Sequence, residues 1–207
     1  DTKSISVAML ERLDWWVKCL KDEGIYVWLD LHVQRQLKAG DGIDDFDEIS
    51  KGKPTAGLKG FNYVNASIQE AMLRFNEAYV EHRNTFTGLR YKDDPAIIAL
   101  LLTNENDVTH HFGNVLLPDK KVPRHNAIYM ALAEEFAARH ALPKKRTWRS
   151  WEPGPAKIFL NDLESLFTAR LSSHLRALGT RALIVSTSTW GTNPLSSLPA
   201  LTMGDMI

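Results

Sequence analysis

Apolar positions recur at helical spacing near the start of the chain. Leu10, Leu13, Trp16, Val17 and Leu20 follow Ser6, which suits an N-cap, and the pattern stops at Gly24. Residues 7–23 therefore read as an amphipathic helix. The next segment, Ile25-Tyr26-Val27-Trp28-Leu29-Asp30-Leu31-His32, is a continuous apolar, β-branched and aromatic run of the kind found in strands buried on both faces. Two further runs read the same way, Ala96–Thr103 and Ala182–Thr189. Between the strands lie a helix over roughly 65–86, marked by Ile68, Met72, Phe75, Tyr79 and His82, and one over 126–140, marked by Ile128, Leu132 and Phe136 and ended before Pro143. A longer helix runs from Phe159 through Leu163, Phe167, Leu171 and Leu175 to Gly179.

The order is helix, strand, helix, strand, two helices, strand, which predicts crossover connections and a parallel sheet. All three strands end in polar or aromatic residues: Asp30 and His32, Asn104 and Glu105, Thr189 and Trp190. Barrel and open α/β enzymes both place their sites at such carboxyl ends. No Gly-rich phosphate loop follows any strand, so a nucleotide-binding open sheet is the weaker option. Residues 40–60, rich in Gly, Asp and Lys, read as a long exposed loop, and the charges of Asp41, Asp44, Asp45, Asp47 and Glu48 as solvated surface.

At 207 residues, with 44% hydrophobic and 24% charged, the chain is one domain with enough apolar mass to bury a core. Lys and Arg total 25, balancing 25 Asp and Glu, so charge makes no case for a nucleic-acid or membrane partner. The longest apolar run, Ala96–Leu102, is far short of the ~20 residues of a membrane helix. Cys19 allows no internal disulfide and reads as a packed thiol. The opening Asp1-Thr2-Lys3-Ser4 has no signal-peptide pattern, and a secreted precursor stripped of its leader would look the same.

Glu105 ends an apolar strand at the rim of the core, where partly desolvated carboxyls hold their protons to higher pH and suit general acid work. A Glu that caps the next loop or pairs with an Arg is the structural alternative. Asn104 beside it has an amide able to hold a substrate hydroxyl. His32 after Asp30 could bind a metal, act as a base, or be a satisfied core residue, and His110-His111 near Asp107 keeps a metal site in view. Trp148, Trp151 and Trp190 are candidates for stacking on sugar rings, with core packing as the alternative.

Three segments carry a family resemblance. Leu13-Asp14 through Gly24-Ile25-Tyr26-Val27 to Leu29-Asp30-Leu31-His32 resembles the second helix and third strand of clan A glycoside hydrolases, nearest to family 5 and its cellulase and mannanase relatives. Tyr91-Lys92-Asp93-Asp94-Pro95-Ala96-Ile97 leading to Thr103-Asn104-Glu105 is similar to that clan's approach to strand four, where an Asn-Glu pair carries the acid/base. Leu175-Arg176-Ala177-Leu178-Gly179 leading to Thr187-Ser188-Thr189-Trp190-Gly191 is similar to the fifth strand.

The resemblance implies a fold of (β/α)8 TIM-barrel type, of which residues 1–207 are a single partial catalytic domain. They would cover strands three to five, with Met203–Ile207 as the approach to strand six. A complete barrel takes about 250 residues. It also implies a retaining β-glycoside hydrolase acting on polysaccharide or oligosaccharide, with no cofactor and no metal, and an extracellular or periplasmic location. Glu105 would be acid/base, Asn104 would hold the sugar 2-hydroxyl, His32 would be a polar contact in the subsite wall, and Trp151 and Trp190 would bind substrate. No residue matches the family's nucleophile; Asp30 and Asp107 are the carboxylates left to consider. Two other functions stay open: a carbohydrate-binding or scaffold protein with an aromatic cleft, and a metal-dependent hydrolase using Asp30, His32 and His110-His111. A partial barrel would expose strand edges and self-associate.

Overall fold

The computed structural model describes residues 1–110, 112–143, 147–150, 152, 154–189 and 194–207. In chain order the elements are α1 (Val7–Asp22), β1 (Val27–Asp30), β2 (Gln36–Lys38), α2 (Phe46–Ser50), β3 (Thr55–Gly57), α3 (Ala66–Val80), β4 (Ile97–Thr103), α4 (Pro123–Arg139), α5 (Pro155–Ala177), β5 (Leu183–Thr187) and α6 (Leu198–Leu201), joined by short 3-10 turns. The chain is mixed α/β. Its main sheet is parallel, ordered β1-β4-β5, so the three apolar runs pair as neighbours and their carboxyl ends share one edge.

Register sets the two faces of that sheet. Leu29, Leu100 and Ile184 align on one face and join the helices in the main core with Ile68, Met72, Phe167 and Leu171. Trp28 and Ala99 align on the other face, as do Asp30, Leu101 and Val185, and Thr103 and Thr187 finish it. Central β4 is buried at every position but Ile98. β1 corrects the expectation of a strand covered on both sides: Trp28 and Asp30 are exposed in alternation, because β1 is an edge strand with only one face against helices. On the far edge, Asp205 N–H donates to Ile184 O at 2.7 Å and the Asp205 carboxylate accepts from Ile184 N–H at 2.7 Å. The segment read as an approach to a next strand thus lies along β5.

Helix ends depart from the local pattern where distant side chains intervene. The third helix stops at Val80 instead of near residue 86, since the buried Asp14 carboxylate collects His82 Nε2 (2.9 Å), Thr85 N–H (2.9 Å) and Tyr91 O–H (2.7 Å). Those partners draw the chain out of helical geometry. α4 begins at Pro123, earlier than expected, because Glu48 accepts from the free N–H groups of Arg124 (2.8 Å) and His125 (3.1 Å). Residues 40–60 are also corrected. They hold α2 and the second strand of the antiparallel β2–β3 hairpin, with Ile43, Ile49, Ala56 and Leu58 buried, and Asp41 and Glu48 are buried rather than solvated. Asp41 accepts from Lys38 N–H (2.7 Å) and Thr2 O–H (2.8 Å), which offsets its desolvation.

On α1 the apolar stripe is wider than its partner surface. Val17 is buried, but Trp16 is 69% exposed and Trp15 51%, contrary to the inward place expected of Trp16; the half-buried Cys19 lies beside this face. With Ile5, Met9, Tyr79 and Phe86 the two Trp side chains line an apolar groove of about 910 Å³. Apolar surface of this kind favours association. A chain of these residues alone should therefore sediment as concentration-dependent oligomers. A stable, soluble monomer of 23.4 kDa would contradict the view that this groove and the sheet edges need covering.

Candidate functional site

Three consecutive amides anchor the turn that leaves β4. Asn104 N–H donates to His32 O (3.1 Å), Glu105 N–H to Ser188 Oγ (2.8 Å), and Asn106 N–H to Thr187 Oγ1 (3.1 Å). Both neighbouring strands thus hold one turn, and Glu105 sits in it at φ 48°, in the left-handed region. Non-glycine residues occupy that region at a cost and cluster where function over-determines the backbone. The half-buried Glu105 carboxylate has no hydrogen bond or ion pair among the described residues, so none of them accounts for it as a cap or as an Arg partner. Asn104 Nδ2 donates to Ser188 Oγ at 3.3 Å, and its Oδ1 has no hydrogen bond among the described residues.

Beneath the turn, Asn106 is fully bonded. Its Oδ1 accepts from Gly60 N–H (3.0 Å), its Nδ2 donates to Asn62 Oδ1 (3.0 Å), and its carbonyl accepts from Tyr63 O–H. Gly60 lies at φ 82°, and a Cβ there would meet Val115 Cγ2 at 2.5 Å and Phe112 O at 2.8 Å. Only glycine lets the two loops close over the strand ends. One layer deeper, Glu164 of α5 is 1% exposed and accepts from Val108 N–H at 3.1 Å through Oε2, while Oε1 has no hydrogen-bond partner among the described residues. Burial, then the nearby Asp107 charge, pushes the Glu164 carboxyl up to about 8, against the hydrogen bonds from Val108 and Thr109. The same burial, with the charges of Glu164 and Asp107, raises the Tyr63 hydroxyl well above its ordinary value.

The residues expected at the strand ends do share one edge, yet in different roles. His32, expected as a contact in the subsite wall, is 3% exposed; its Nε2 donates to Asn76 Oδ1 (2.8 Å) and its ring packs on Phe75 at 5.0 Å. The ring thus supports the edge from behind, and its backbone carbonyl does the positioning. Burial, then the Arg35 charge, lowers His32 to about 3, so the imidazole is neutral at physiological pH. Asp30 keeps an exposed side chain that accepts from Trp28 Nε1 at 3.0 Å, and partial desolvation raises its carboxyl. Asp107 is fully buried, which removes it as a carboxylate facing substrate.

Trp148, a candidate for sugar stacking or core packing, takes the second role at 0% exposure, packed on Phe159 (5.4 Å) and Phe136 (6.0 Å), with its carbonyl accepting from Tyr129 O–H at 2.6 Å. Trp151, Trp190 and His111 lie outside the described residues. Among the described residues no three His, Cys, Asp or Glu side chains converge as a metal site would require, and no helix is long and apolar enough to cross a membrane. Sequence reading missed Ser188 as an anchor, Asn106 and Glu164. Glu164 left a trace: it sits four residues after Leu160 and three before Phe167, a charge on the helix's apolar stripe. Compared with family models and with curated proteins, the chain matches none.

Two buried groups give stability opposite pH slopes. His32 binds no proton when folded between about 3 and its ordinary 6.5, whereas the unfolded chain does, so stability rises with pH across that window. Glu164 holds a proton when folded between its ordinary 4.5 and about 8, whereas the unfolded chain has lost it, so stability falls as pH rises there. Denaturant titrations across these windows should show His32→Gln with a flatter acid limb and Glu164→Gln with a flatter alkaline limb. Limbs unchanged by either variant would contradict these protonation states.

Proposed function

We propose that the chain carries the acid/base part of a retaining β-glycoside hydrolase of clan A type. Its sheet corresponds to strands three to five of a (β/α)8 barrel, and its substrate is a polysaccharide or oligosaccharide. The observation that carries this reading is the Glu105 turn: a half-buried carboxylate without a partner among the described residues, in left-handed backbone, tied to both neighbouring strand ends. The family resemblance of the three strand segments supports it from a separate direction.

In this mechanism Glu105, protonated, gives its proton to the departing glycosidic oxygen while a second carboxylate about 5–5.5 Å away attacks the anomeric carbon. The Glu105 carboxylate then takes a proton from the water that cleaves the glycosyl-enzyme bond. Asn104, with Nδ2 held by Ser188, offers Oδ1 to the sugar 2-hydroxyl. The nucleophile has no match in these residues under the resemblance, so hydrolysis requires a form of the protein that supplies it.

In a form that hydrolyses, Glu105→Gln should lower turnover of an unactivated glycoside by about 10²- to 10⁴-fold while ligand affinity stays nearly unchanged. The loss should shrink for an activated aryl glycoside, whose leaving group needs little protonation. Equal loss on both leaving groups would contradict the acid role. Binding without turnover in every form would favour a carbohydrate-binding scaffold, and robust turnover by the 207 residues alone would overturn the assignment of roles.

A further inference from the structure

Two lysine-bearing turns about seventy residues apart in sequence meet across one recess. Lys51 and Lys53 follow α2, Lys120 lies in the turn before α4, and the space between them, about 490 Å³, is floored by Ile49, Phe61 and Val115. That is within the size range of small-ligand pockets. Ser50, Thr55 and Gln36 add polar groups to the lining, and among the described residues no acidic side chain lines it.

The acids nearby are already committed. Arg124 pairs with Asp45 (2.7 Å), Asp47 (2.6 Å) and Glu48 (3.4 Å), and Glu48 also bonds His125 Nδ1 at 2.8 Å. Asp119 lies 3.5 Å from both Lys120 and Arg149. Lys51 and Lys53 have no carboxylate partner among the described residues, and Lys51 is held at φ 51° in a fixed left-handed cap. The charges of Lys51 and Lys53 at the rim of a concavity with an apolar floor focus potential on an anion.

Position links this recess to the candidate site. Its Phe61 wall adjoins Gly60, whose N–H donates to Asn106 Oδ1 next to Glu105, and its Val115 wall is the residue Gly60 packs against. Both loops belong to the layer over the carboxyl ends of β1 and β4. An apolar floor flanked by Lys51 and Lys53 on one side and Lys120 on the other suits a ligand with an apolar ring face and a pendant anionic group. We propose that this recess binds an acidic sugar unit, a uronate or a sulfated residue, of a glycan that reaches the Glu105 turn. This rests on the carbohydrate reading above and narrows its substrate class to anionic glycans.

The test is titration calorimetry on the 207-residue chain with an oligogalacturonate, a sulfated oligosaccharide and a neutral cello-oligosaccharide of equal length. The expected result is that an acidic oligomer binds at least about tenfold more tightly than the neutral one at low salt, and loses that advantage toward about 0.15 M salt. The oligogalacturonate and sulfated arms identify which anion is preferred. Lys51→Glu with Lys53→Glu should abolish the preference without changing the thermal melt, since both side chains are exposed, and should leave neutral binding intact. Equal affinity for acidic and neutral oligomers, or an unaffected double variant, overturns the acidic-sugar site and leaves the carbohydrate reading standing. Inorganic sulfate or phosphate binding as tightly as the oligomers, or a single-stranded oligonucleotide doing so, overturns the ligand class. Binding of no oligosaccharide refutes the recess and counts against the carbohydrate reading as well.

Discussion

The N–H groups of Asn104, Glu105 and Asn106 each bond to a neighbouring strand end, to His32 O, Ser188 Oγ and Thr187 Oγ1. A turn held on both sides cannot relax into ordinary backbone without breaking bonds at the edge of a buried sheet, and unmade buried hydrogen bonds each cost about 1–3 kcal/mol. That is how Glu105 can be kept left-handed, a conformation a free turn would give up. Its carboxylate then has no hydrogen bond or ion pair among the described residues.

The layers below explain why the turn is placed so firmly. β4 is apolar along its length and lies between β1 and β5, so its exit point follows from the packing of the core. Asn106 ties that exit to the loop between β3 and α3 through Gly60, Asn62 and Tyr63. Glu164 reaches up from α5 to hold Val108 N–H, at the cost of burying a carboxyl that keeps its proton to about pH 8. A neutral acid is the cheaper species there, because burying its charge beside Asp107 would be worse. His32 is kept neutral by the same desolvation, so at neutral pH neither it nor Glu164 brings a charge to the strand ends it supports.

Much of this was readable in the sequence wherever burial is continuous. The runs 96–103 and 182–189 announce a parallel sheet because strands covered by helices need unbroken apolar sequence, and the ends of those runs gave Asn104 and Glu105 directly. Residues 40–60 were not readable, since Ile43, Ile49, Ala56 and Leu58 reach the core singly, with no period to reveal a helix or hairpin. The start of α4 depends on Glu48, more than seventy residues away, and the early end of α3 on Asp14, so no local signal could have shown either. Sequence left Trp148 open between stacking on a sugar and packing in the core, and the second holds because its ring fills a space made by α4 and α5. Ser188 was read as the tail of a strand, and its hydroxyl matters only because β5 lies beside β4.

The most direct measurement is chemical rescue of Glu105→Ala by azide, in a form of the protein that hydrolyses an activated aryl glycoside. If Glu105 is the acid/base, the glycosyl-enzyme intermediate still forms, and azide attacks it from the face where Glu105 would have activated water. The predicted result is accelerated turnover with a β-glycosyl azide as product, the starting configuration retained. An α-glycosyl azide would make Glu105 the nucleophile, and no rescue at any azide concentration would remove it from the chemistry.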